Sequence, residues 1–118
     1  MVPGTERNWL TQVRRGTIEY CVLALLRGGE RYGFEIAQRL ADADGLVTSE
    51  GTVYPLLTRL RRSGLVETTW RESNQGPPRR YYRLTGDGRA AVEEFEGQWR
   101  RFGAAVESLL EGTSHEHA

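Results

Sequence analysis

Six large apolar side chains, Val92, Phe95, Trp99, Phe102, Val106 and Leu109, recur in steps of 3, 4, 3, 4 and 3 near the end of the chain. A repeat of about 3.5 residues sets them along one narrow seam of a helix, not the wider stripe that a globular core asks for. A chain of 118 residues forms one modest core and has little surface left over to cover such a seam in cis. The seam therefore predicts a homodimer interface, with the same six residues of a second copy as the cover. The helix that carries it is expected from a cap at Thr85 to about Glu111. Asp87, Glu93 and Glu94 lie in its early turns, where negative charge suits the amino-terminal dipole end.

The chain ahead of the seam must then supply the core. A first helix is expected from a cap at Asn8 or Thr11 to about Arg27, with Ile18, Cys21, Val22, Leu25 and Leu26 on one face and Gly28-Gly29 ending it. A second runs from about Tyr32 to Ala43, with Ile36, Ala37 and Leu40 inward, and ends near Gly45. Thr48 or Ser49 caps a third, whose inward set is Val53, Leu56, Leu57 and Leu60, and Gly64 stands at its left-handed end. Pro55 removes a backbone donor near the start of that helix and predicts an irregular first turn. "LVETTWRE" and "RRYYRL" read as two strands, and "SNQGPP" between them as the turn. The expected fold is mostly α with a small β hairpin: a winged helix-turn-helix domain over 8–84, a C-terminal dimerisation helix over 85–111, and flexible termini at 1–7 and 112–118.

The formal net charge is zero, yet it is unevenly placed. Residues 50–83 hold seven Arg against three Glu, and residues 84–118 hold three Arg against seven acids. A basic middle and an acidic tail cancel in the total but act on different surfaces. All positive side chains are Arg, which suits planar phosphate and guanine contacts better than Lys does. One Cys gives no disulfide framework and fits a reducing compartment, the opening residues do not read as a signal peptide, and no stretch approaches a membrane span. A cytoplasmic protein is the expectation. No catalytic set of Ser, His and Asp or of Cys and His is present, both His are terminal, and neither a phosphate loop nor metal-ligand spacing occurs. The reading is a non-enzyme without cofactor or metal.

Three places carry the functional expectation. On the third helix Thr52, Tyr54, Pro55, Thr58 and Arg59 lie off the apolar stripe. Small hydroxyls, a ring and a guanidinium suit close approach to base edges in the major groove of double-stranded DNA. On the wing, Arg79 and Arg80 flank a narrow tip and suit phosphate or the minor groove, with Arg71 opposite them. On the seam, Trp99 stands beside Gly103, Ala104 and Ala105. Either it fills the interface, or it opens with Phe102 a pocket where a planar aromatic effector stacks. A protein-interaction adaptor without DNA binding is the rival class, because zero net charge and an acidic tail also suit that role.

At "RRGTIEYCVLALL", "RYGFEIAQRL", "GTVYPLLTRLRRSGLV" and "RRYYRLTGDGR" the sequence resembles the PadR-type transcriptional regulators, over roughly residues 14–90. The tail "FEGQWRRFGAAVESLLEG" resembles the smaller branch, in which a single C-terminal helix makes the dimer. The resemblance implies a homodimeric repressor that binds palindromic operator DNA near a promoter, often its own, and releases it when an effector binds. It also implies that Trp99 lines an opening between subunits. Two residues depart from the family pattern. Glu50 stands where Pro is common and would repel a phosphate, and Arg61 stands where an acid is common and adds positive charge.

Overall fold

The structure, a computed structural model, describes residues 3–43 and 50–116, with side chains over 11–43 and 51–112. Helix α1 spans Pro3–Leu25. It begins ahead of the Asn8 or Thr11 cap expected for it, so residues 3–7 are helical. Proline is well suited to a first helical position, where its missing N–H would have no partner in any case. A tight 3-10 turn over Leu26–Gly28 closes α1, and Gly29, at φ 135°, turns the chain away.

Strand β1, Arg31–Tyr32, follows at once and leads into helix α2, Gly33–Asp42. The Glu35 carboxylate accepts the Tyr32 backbone N–H at 3.1 Å and so ties down the start of α2. The Thr48 and Ser49 caps expected for the third helix, and the expected end at Gly45, lie outside the described residues. Helix α3, Val53–Arg62, is preceded by a 3-10 turn over Glu50–Thr52, the irregular start that Pro55 predicted. Pro55 is the third residue of α3, where a backbone N–H has no intrahelical acceptor, so the ring costs no hydrogen bond. The far end closes at Gly64, with φ 77°. The Leu65 N–H donates to the Leu60 carbonyl at 3.1 Å and the Gly64 N–H to that of Arg61 at 3.0 Å.

Strands β2, Val66–Ser73, and β3, Gly76–Leu84, pair antiparallel, and β1 pairs with the other edge of β3. The sheet thus has three strands in the order β1-β3-β2, where a two-stranded hairpin was expected. Two residues are too few to show the alternation that marks a strand, and from the sequence Tyr32 reads as the start of the second helix. The turn is shorter than expected as well, Asn74 and Gln75 alone. Pro77 and Pro78 sit inside β3 at the point where the ladder with β2 loses its regular register, which suits two residues without a donor.

Helix α4, Gly86–Glu116, runs past the expected end at Glu111. Thr85 caps it: its Oγ1 accepts the Gly88 N–H at 3.0 Å and donates to the Gly64 carbonyl at 2.6 Å. A Cβ on Gly88 would overlap the Leu65 carbonyl oxygen, so only glycine lets α4 start this close to the end of α3. The core joins Val22, Leu23 and Leu26 of the first helical segment to Ile36, Ala37 and Leu40 of α2 and Val53, Leu56, Leu57 and Leu60 of α3. Val66, Tyr82 and Val92 complete it. Cys21 is half-buried beside this core, and burial raises its thiol above the ordinary value. The molecule measures 63 by 32 by 23 Å.

Candidate nucleic-acid interface and the exposed seam

Helix α3 divides cleanly. Val53, Leu56, Leu57 and Leu60 are buried, while Thr52, Tyr54, Pro55 and Arg59 are exposed and Thr58 half-buried. No acidic residue lies in its first turn, and Arg59, Arg61 and Arg62 occupy its last, where cations complement the dipole. The outer face is therefore small and uncharged at the amino-terminal end and cationic at the other. Thr58 Oγ1 donates back to the Tyr54 carbonyl at 3.1 Å. Tyr54 lies over Gly33, so closely that a Cβ there would come within 2.9 Å of Tyr54 Cε1. That contact fixes the ring and leaves part of it exposed. Arg59 reaches back to α1, where the Glu19 carboxylate accepts at 2.6 Å.

On the wing three arginines lie on aromatic rings. The guanidinium of Arg79 sits 4.5 Å from the Tyr32 ring centroid, that of Arg80 4.8 Å from Trp70, and that of Arg71 4.8 Å from Tyr81. Arg71 also pairs with Glu30, which neutralises it. Arg79 and Arg80 have no acidic partner among the described residues, and Arg80 Nε is buried without an acceptor. Across the ribbon Trp70 pairs with Arg80 and Arg71 with Arg79.

These pieces meet in one open groove of about 320 Å³ lined by Tyr32, Gly33, Phe34, Tyr54, Trp70, Arg79, Arg80 and Tyr82. It brings Tyr54 of α3 together with Arg79 and Arg80 of the wing. Thr52, Pro55, Thr58 and Arg59 are not part of its lining. Four aromatic residues of this site carry no functional expectation in the sequence: Tyr32, Phe34, Trp70, which is 63% exposed, and Tyr82, which also belongs to the core. A large ring on the polar tip of a hairpin was the available signal for Trp70. Nothing local marks Tyr32 or Phe34, which become site residues only through β1 pairing and the start of α2.

The second surface is α4. Trp99, Phe102, Val106 and Leu109 are exposed, as is Leu110. Two members of the expected interface set are placed differently. Val92 is sealed in the core at 1% exposure, so it is not available to a partner. Phe95 is half-buried, stacked on Tyr20 of α1 with ring centroids 4.4 Å apart and planes within 1°, and its other neighbour is Trp99 at 5.8 Å. The first turns of α4 lie against α1, and that packing supplies in cis the cover that the heptad spacing assigned to a second chain.

A three-helix core, a ribbon wing tipped with unpaired arginine and a projecting final helix define the class of winged-helix transcriptional regulators. The chain belongs to the PadR-like family of transcriptional regulators, whose family model matches residues 22–94. Members of that family are regulators of transcription and not enzymes. A transcriptional regulator of Mycobacterium tuberculosis is 32% identical over 106 residues, covering 90% of this chain and 94% of the relative. The crystal structure of a PadR-like regulator from Bacillus cereus superposes with a TM-score of 0.76 at 36% identity, covering 84% of this chain and 96% of that one. PadR of Bacillus subtilis, solved in complex with operator DNA, superposes with a TM-score of 0.62 at 23% identity over 67% of this chain and 45% of that one, a likeness of fold. Among the described residues no helix is long and apolar enough to cross a membrane.

Proposed function

We propose that this protein binds operator DNA as a homodimer and represses a nearby promoter or its own in the cytoplasm, and that a planar aromatic effector at the dimer seam relieves the repression. The observation that carries the DNA reading is the groove that sets Tyr54 beside Arg79 and Arg80, two cations with no acidic partner among the described residues. Thr52, Tyr54, Pro55, Thr58 and Arg59 face the major groove, and Arg79 and Arg80 hold phosphate or enter the minor groove. The two recognition helices then lie about 34 Å apart, one turn of duplex. The dimer reading rests on the exposed row Trp99, Phe102, Val106 and Leu109, an apolar strip that water does not favour. Trp99 and Phe102 offer the rings for the effector, and the small Gly103, Ala104 and Ala105 leave room beside them.

The test is fluorescence anisotropy with duplex from the chain's own upstream region at several salt concentrations. Binding should fall steeply with salt, and replacing Arg79 and Arg80 together by Ala should weaken it on all sequences and flatten the slope. An unchanged slope would remove the wing from the interface. No binding at any salt would favour the adaptor role instead.

A further inference from the structure

We infer that Tyr32 is the positioning residue for Arg79: it fixes where the wing's free charge stands relative to the recognition helix. This rests on the wing contacting DNA, as proposed above.

A guanidinium at the end of a flexible side chain contributes little to binding unless something holds it in place beforehand. The Tyr32 ring lies under the Arg79 guanidinium, whose Cζ is 4.5 Å from the ring centroid. The ring is itself fixed from three directions. Its backbone is in register with Tyr81 in the β1–β3 ladder, its N–H is held by Glu35 at 3.1 Å, and the tilted Tyr81 ring stands beside it with centroids 5.6 Å apart. The next residue, Gly33, begins α2 and carries the Tyr54 ring. Arg79 is therefore indexed through Tyr32 and Gly33 to the outer face of α3, not merely to its own ribbon. Arg71 provides the contrast. It lies on the Tyr81 ring in the same manner, but Glu30 neutralises it, so the same kind of stacking there leaves no free charge to present. The contact with Arg79 is made by the Tyr32 ring.

The experiment is a double-mutant cycle on the full chain, with the upstream duplex as probe and affinity measured across a salt series. Arg79→Ala and Tyr32→Leu should each weaken binding, Tyr32→Leu by about two- to fivefold. Each should lower the salt slope by about 0.9 per subunit. Tyr32→Leu should add nothing in the Arg79→Ala background, and Tyr32→Phe should bind as the parent does. Additive losses, or a Tyr32→Phe as weak as Tyr32→Leu, would overturn the positioning role while leaving the wing contact standing. An Arg79→Ala without effect would remove the wing contact and this role with it. Should Tyr32→Leu not fold, the unaltered protein still decides the matter by NMR. Arg79 δ-protons over a ring face resonate upfield of their free position, and unshifted resonances would overturn the stacking.

Discussion

Replacing both Phe102 and Leu109 by Glu should turn the proposed dimer into a monomer while leaving the winged domain folded. In the single chain Phe102 is 64% and Leu109 71% exposed, so neither contributes much to folding in cis. Full burial of such side chains is worth about 1.5–3 kcal/mol each. With roughly two thirds of each available to a partner, a symmetric pair of subunits recovers about 1–2 kcal/mol from each of four side chains. The total, about 4–8 kcal/mol, corresponds to a factor of roughly 10³–10⁶ in the dissociation constant. The introduced carboxylates add a desolvation cost in the same direction. Sedimentation velocity at micromolar concentration reads the change directly, and circular dichroism confirms that the fold persists. Val92→Ala is the internal control, because Val92 is at 1% exposure in the core. It should lower the melting temperature without moving the dissociation constant. A double Glu variant that still sediments as a dimer would refute the seam, and so would a Val92→Ala that dissociates at unchanged stability.

Gly88→Ala should destabilise, although the same exchange at an open helical position gains about 1 kcal/mol. The added Cβ meets the Leu65 carbonyl, and the overpacking should cost about 1–3 kcal/mol by thermal denaturation; a raised melting temperature would show that the two segments part easily. Glu19→Gln releases Arg59 from a surface pair worth about 0.2–1 kcal/mol, so stability should change little. Affinity for the upstream duplex should rise severalfold at low salt, since the Glu19 carboxylate and DNA phosphate compete for the same guanidinium; weaker binding would place Arg59 outside the interface.

Where the sequence was informative, a strong local period or a special residue carried the signal. The inward set of α3, the left-handed Gly64 and the Thr85 cap all stand where their spacing and chemistry put them. Leu23 is fully buried although it stands one residue to the side of the apolar stripe that the spacing of the first helix defines. The heptad seam was legible as a period but not as a boundary. Periodicity states which residues share a line on a helix, and only the packing of α1 beside α4 decides that Val92 and Phe95 are covered in cis. The groove was the least legible feature. It depends on a two-residue strand and on a tyrosine seated over a glycine 21 residues earlier in the chain, neither of which leaves a periodic trace.

How firmly α4 is joined to the winged domain decides whether a dimer can hold two recognition helices at a fixed separation. The joint has two parts. At its start, Thr85 binds Gly64 and Gly88 lies against Leu65; one turn further on, Val92 enters the core and Phe95 stacks on Tyr20. Beyond Phe95 the helix continues to Leu109 for about 21 Å at 1.5 Å per residue. A tilt of about 10° at the joint therefore displaces the far end by roughly 4 Å, enough to spoil the register of paired helices that must fit successive grooves. Tyr20→Ala removes the stacked ring, worth about 0.5–1.5 kcal/mol beyond its buried area, and leaves the cap intact. Affinity for a full palindrome should fall while affinity for a single half-site stays the same, because loosening the joint costs only the simultaneous fit of both subunits. Equal losses on both duplexes would mean that Tyr20 acts through the fold of the winged domain, and no loss on either would mean that the cap alone sets the angle.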